Sequence, residues 1–257
     1  MYSLNLLWKK IEILDEFDLS LLLKMVNDNE KQNKDFLHWN IIASLKEDMQ
    51  DIIKTSKWLK ECFNQLNENN TIFLLITIKN KLKDIIKDSY TLSELLSKIS
   101  EENNKIIFLK MFRFRWLENI VVNAKDLSNI FEFLFEEQSQ YYFIKLLWDK
   151  YIREIFLRTN EIVMILHLLS ETNKVLLINI LTLKWLKHKI TSSETFLKLY
   201  RWIPNSFVND FLNMFNDQEF INIFKNIDIY TFLLRLPENK TNEFLLYYNA
   251  NTRLLQE

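Results

Sequence analysis

Six apolar residues, Leu66, Ile99, Leu134, Leu169, Ile203 and Leu236, each close a short amphipathic run, and successive ones lie 33, 35, 35, 34 and 33 residues apart. A fainter copy ends at Val26, 40 residues before Leu66. A fixed period of this length is the signature of a stacked repeat protein, in which each unit buries its apolar face against the next. Other positions keep the same register. An apolar pair follows each anchor by eight to ten residues: Leu74-Leu75, Phe108-Leu109, Phe143-Ile144, Leu177-Ile178, Phe211-Leu212 and Phe244-Leu245. Further on come a large residue (Leu82, Trp116, Tyr151, Trp185, Phe220) and an aliphatic or aromatic one (Ile86, Ile120, Ile155, Ile190, Phe224).

The local periodicity is helical. The expected fold class is all-α, an α-solenoid of about seven repeats of roughly 34 residues, each of two to three short helices. The first helix ends at the anchor. The second starts at Ser100-Glu101, Ser170-Glu171 or Pro237-Glu238, where proline and acids suit a helix N-terminus. The third is expected to be capped by Asn80, Asp149, Thr182 or Asp217. Arg113-Phe114 in the repeat of Ile99 suggests that its second and third helices run on without a break. Ser56, Ser89, Asp126, Thr159, Ser193 and Asp228 are the expected caps between repeats. Residues 3–14 match a third helix alone, with Trp8 at the large position, and residues 249–257 read as the start of another. Residues 1–257 are thus expected to form a single helical-repeat domain with incomplete units at both ends, open to end-to-end self-association.

The chain contains no glycine, two prolines (Pro204, Pro237) and one cysteine. Phosphate-cradling loops, dinucleotide turns and nucleophile elbows need backbone room that glycine supplies. Helix stops must manage without it, so Asn123 and Asn226 are candidates for the left-handed position. Lone Cys62 excludes an intrachain disulfide and a cysteine-rich zinc site and suits a reducing, cytoplasmic compartment. The N-terminus lacks the order of a secretion signal, and no apolar run approaches the roughly 20 residues of a membrane span, so a soluble chain is expected.

The pattern resembles the leucine-rich helical repeats of some secreted effectors of intracellular bacteria, of the Legionella type. LSELLSKISEENNKIIFL (92–109), EIVMILHLLSETNKVLLI (161–178) and RLPENKTNEFLL (235–246) carry it, matching approximately L-x-x-[IL]-L-x-x-L-P-E-x-N-[RK]-x-x-x-L-L. The likeness covers most of residues 14–248. It implies a scaffold or recognition surface and translocation into a host cell; no functional residue carries over.

Few residues invite chemistry. His38, His167 and His188 show no metal-ligand pairing and read as helix-surface or satisfied imidazoles. Cys62 reads as core. Glu101-Glu102 and Glu136-Glu137 read as helix-start acids rather than a catalytic dyad. Trp116, Tyr151, Trp185 and Phe220 fit an inter-repeat core better than an exposed stacking ladder for bases. Trp202 is expected to be partly exposed. Equivalent cations form a candidate stripe: Lys110 and Lys145 in one row, Arg115, Lys150 and Lys184 in another, with Arg113, Arg153, Lys187 and Lys189 close by. The alternative for them is a solvated face.

No enzyme, cofactor or metal is expected. The leading expectation is a protein-binding scaffold using Lys110, Arg113, Arg115, Lys145, Lys150, Arg153, Lys184, Lys187 and Trp202. RNA, along the stripe in the third to fifth repeats, is the alternative, and anionic lipid a further one. With 33 Lys and Arg against 34 Asp and Glu, the chain lacks the cationic excess that phosphate neutralisation favours.

Overall fold

The computed structural model describes residues 56–252 apart from 226. The expectations for Trp8, Val26, His38, Asn226 and residues 253–257 lie outside the described residues. Among these, every regular element is helical. Spatial contacts divide the chain into two compact units, Met1–Trp116 and Leu117–Glu257.

The first unit contains α1 (Ser56–Gln65), α2 (Glu68–Thr77), α3 (Leu82–Ile85), α4 (Ser89–Ser97) and α5 (Glu102–Leu109). The division falls inside α6 (Phe114–Ile120). The second unit continues with α7 (Ala124–Phe131), α8 (Glu137–Leu146), α9 (Asp149–Ile155), α10 (Thr159–Leu168), α11 (Glu171–Leu181) and α12 (Leu183–Lys187). It ends with α13 (Ser193–Trp202), a 3-10 turn (Asn205–Phe207), α14 (Val208–Asn213), α15 (Asp217–Phe224), α16 (Ile229–Leu233) and α17 (Glu238–Thr252). In the first unit α2 lies against α5; in the second, α10 lies between α7 and α13, and α8 lies against α11. Within each unit, helices about one period apart in sequence are therefore neighbours.

All six anchors are buried, and so are all the members of the apolar pairs except Leu245, which is half-buried. The phenylalanines concentrate in one place. Seven rings (Tyr200, Phe211, Phe215, Phe220, Phe224, Phe232, Phe244) lie 5.1–6.3 Å from the ring of Phe196. Such tilted and edge-on rings fill the space between helices too widely spaced for small residues.

A second buried layer is polar. The opening turn of the second helix buries Asn70 and Thr71, Asn104 and Lys105, Ser139 and Gln140, Asn173 and Lys174, and Lys240. Gln140 shows why. Its amide donates to the carbonyls of Leu134 (2.7 Å) and Leu168 (2.9 Å), at the ends of consecutive first helices. Its Oε1 accepts from Ser170 N–H (3.0 Å) and Asn173 Nδ2 (3.2 Å). In the first unit the Glu68 carboxylate accepts from the backbones of Ser100 and Glu101, the Ser100 hydroxyl and Asn104 Nδ2. Burial opposes ionisation there, but these donors prevail and hold its carboxyl below the usual range.

Several helix boundaries differ from expectation. The break before α6 is real, because residues 110–113 leave the helix. Thr182 and Asp228 cap α12 and α16 as expected, but other caps sit elsewhere. Asp88, Asn123, Ser192 and Asn216 accept from the N–H three residues on, where Ser89, Asp126, Ser193 and Asp217 were expected to cap. Asp126 instead accepts from Val122 N–H at 3.2 Å. Neither Lys81 before α3 nor Trp148 before α9 makes a side-chain cap, so Asn80 and Asp149 do not fill that role. Asn123 is extended (φ −153), not left-handed, because it starts α7 rather than ending α6. Finally, α17 continues through residues 249–252, because Ala250 occupies the junction position and offers no capping oxygen.

The one positive φ among the described residues belongs to Thr182 (φ 65, ψ 142). It alone separates α11 from α12, whereas successive α-helices elsewhere among the described residues are separated by two or more, so a single residue must absorb the whole change of direction. Its hydroxyl accepts from Trp185 N–H at 3.3 Å. A β-branched residue there costs about 1–3 kcal/mol, and a Thr-to-Gly cap loss only a few tenths. Thr182→Gly is expected to raise the melting temperature by about 2–4 °C, whereas Thr182→Ala, which keeps the strain and loses the cap, lowers it. Gln140→Ala strands four hydrogen-bonding groups and is expected to cost about 2–4 kcal/mol, read as a lower denaturation midpoint at unchanged slope.

Candidate functional site

The repeat aromatics are taken up by structure. Trp116 Nε1 donates to Ile86 O (3.2 Å), and the Tyr151 hydroxyl donates to Glu118 O (2.8 Å) and Val121 O. Both close carbonyls at the end of the preceding third helix. Phe220 is fully buried, and Lys189 Nζ lies 4.8 Å from the Trp185 ring centroid. Trp116, Tyr151 and Phe220 thus fill space between neighbouring helices, and Trp185 is half-buried beside Lys189. Cys62 is buried. Glu102 and Glu137 are the first residues of α5 and α8.

The cationic candidates do not act alike. Arg153 is turned inward: Nε and Nη2 donate to Ile180 O at 2.8 and 2.6 Å. Lys187 is paired with Glu219 at 2.5 Å, and that bond is the main cause holding the Glu219 carboxyl low. Lys145 Nζ lies 5.8 Å from the Tyr141 centroid. Lys150 meets Glu154 at 3.8 Å, an exposed pair worth little. Lys184 is exposed. Lys110, Arg113 and Arg115 are exposed and belong to the first compact unit. The stripe is thus broken at Arg153 and Lys187, whose charges close helix ends and ion pairs.

The concavity of interest lies in the second unit, around Trp202. It measures about 520 Å³ and runs over α7, α10 and α13, the first helices of three successive repeats. Ser128 and Glu132 line it from α7. Asn160, Val163, Met164, His167 and Leu168 line it from α10. Lys198, Arg201 and Trp202 complete it from α13. Trp202 is half-buried. Its ring meets the His167 imidazole edge-on at 4.6 Å, and Lys174 Nζ stands 5.3 Å from its centroid. These contacts hold the indole in place as a wall.

Of the residues lining this groove, only Trp202 is a candidate that the sequence singled out for binding. The signal was in the register: Glu132, His167 and Arg201 all stand two residues before their anchors. All three are exposed. Nothing marked that row as different from any other solvated position until the neighbouring helices lay side by side.

The end of α13 that carries Arg201 and Trp202 is fastened from below. Lys240, 4% exposed, donates to the carbonyls of Tyr200 (2.8 Å), Arg201 (3.0 Å) and Ile203. The Tyr200 hydroxyl donates back to Lys240 O at 3.1 Å. Burial pushes the Lys240 ammonium down to about 8, with Glu171 opposing and Lys174 adding to the fall. Burial, aided by Glu243, pushes the Tyr200 phenol well up. Among the described residues no three His, Cys, Asp or Glu stand close enough to hold a metal ion, and no helix is long and apolar enough to cross a membrane.

Between pH 8 and about 10 the unfolded chain keeps a proton that folded Lys240 has lost, so rising pH favours the folded state. Stability is expected to climb by up to about 2 kcal/mol over that interval and to fall above it, where Tyr200 ionises first in the unfolded chain. Denaturant melts at stepped pH check this; Lys240→Met should abolish the climb. No protein-family model, curated protein or solved structure matches the chain.

Proposed function

We propose that the chain is a non-catalytic helical-repeat module, an α-solenoid of about seven repeats, that recognises a protein partner through the groove over α7, α10 and α13. The observation that carries this reading is the groove itself. A held indole and the half-buried Val163, Met164 and Leu168 form its floor and wall, and exposed Glu132, His167 and Arg201 rim it. Protein interfaces draw most of their affinity from a few aromatic and arginine anchors with a polar surround. Repeat stacking makes such a surface without a cleft built for chemistry. The resemblance to bacterial effector repeats extends the reading to a partner in a host cell.

The purified chain, used as bait in a lysate with and without nuclease, is expected to retain a discrete protein at moderate salt. Trp202→Ala is expected to weaken that capture about tenfold or more, with the helical circular dichroism unchanged. Capture that Trp202→Ala leaves untouched, or recovery only of RNA that salt removes, overturns the proposal.

A further inference from the structure

The groove is electrically polar. Glu132, which follows the last residue of α7, is the one acid among the residues lining it. The lining cations, Lys198 and Arg201, both stand on α13, and His167 stands on α10, the helix between α7 and α13. Neighbouring charges have partners of their own. Lys198 Nζ lies 3.8 Å from Glu194 and donates to Asn160 Oδ1 at 3.2 Å; Arg235 donates to both oxygens of Glu194 at 3.1 and 2.8 Å. No hydrogen bond or ion pair engages the side chain of Glu132 or Arg201 among the described residues. Two unmatched charges of opposite sign therefore face the two ends of one largely apolar trough.

We propose that this groove takes an extended segment of a partner protein with a basic side chain at the Glu132 end and an acidic one at the Arg201 end. The inference rests on the protein-binding reading above and adds the chemistry of the partner. Neighbouring helix axes are about 8–10 Å apart, so the row from α7 to α13 spans roughly 16–20 Å. An extended chain advances about 3.3 Å per residue. Two side chains about five positions apart therefore reach both charges. The residues between them lie over Val163, Met164, Leu168 and the Trp202 ring. Complementary charge at the two ends fixes register more than it adds affinity.

The test uses the full chain and four pools of fluorescent hexapeptides with neutral or apolar central residues. One pool has an acid and a base at opposite ends, in both orders. A second has acids at both ends, a third has bases at both ends, and a fourth has the acid and base adjacent. Fluorescence polarisation at low salt is expected to favour the first pool about fivefold or more over each other pool. Glu132→Lys is expected to move the preference to the doubly acidic pool, and Arg201→Glu to the doubly basic one. Both positions are exposed, so the variants should keep their folded signature, checked by melting. Equal binding of all pools, or no switch in either variant, overturns the polarity while leaving protein binding at the groove in place. Binding of no pool overturns the inference for an extended segment, and the lysate capture with Trp202→Ala then decides the broader reading separately.

Discussion

Helix ends are the controlling difficulty of this molecule. Every α-helix leaves its last carbonyls without intrahelical donors, and the usual remedy is a glycine in the left-handed conformation just beyond. This chain has no glycine. It closes its helices with side chains sent from about one repeat away. Trp116 and Tyr151 reach third-helix ends, Gln140 reaches first-helix ends, and Lys240 covers three carbonyls at the end of α13. Arg153 and Thr159 do the same at Ile180 O and Lys189 O. These groups are buried or half-buried, so each bond lost would leave a carbonyl without water as well.

That remedy links local structure to repeat stacking. A glycine cap is self-contained, but a tyrosine or lysine cap works only when the neighbouring repeat is in place. Packing between neighbouring helices therefore completes these helix ends as well as burying apolar faces. It also explains where the cations went. Arg153 and Lys187 look like members of a surface row in sequence, yet one closes a helix end and the other is neutralised by Glu219. Long basic side chains can reach inward to carbonyls as readily as outward to phosphates, and position in the period does not distinguish the two.

The groove has the same origin. First helices laid side by side bring equivalent positions together, so Glu132, His167 and Arg201 form one row across α7, α10 and α13. The ends of these helices are tied beneath by Gln140 and Lys240, which hold the row on a fixed floor. The groove and the ties that close the helix ends thus belong to the same three helices.

The period, the helical class, the anchors and the apolar pairs were all legible in the residues, because burial of a repeated apolar pattern leaves a repeated trace. Helix starts were legible only to within a few residues. Asn123 and Asp126 both carry a capping oxygen, and only backbone geometry decides that the first caps and the second accepts from Val122. The strained Thr182 was recognised as a cap and not as a positive φ, since the one-residue junction that forces it appears only when α11 and α12 are both in place. The site was least legible of all. A charge row two residues before each anchor has no chemical motif, and whether a cation points at a carbonyl, a carboxylate or open solvent depends on a neighbour some 30 residues distant. Short-range pattern therefore settled what is buried, and only tertiary contact decided which polar side chains close helix ends and which stay exposed.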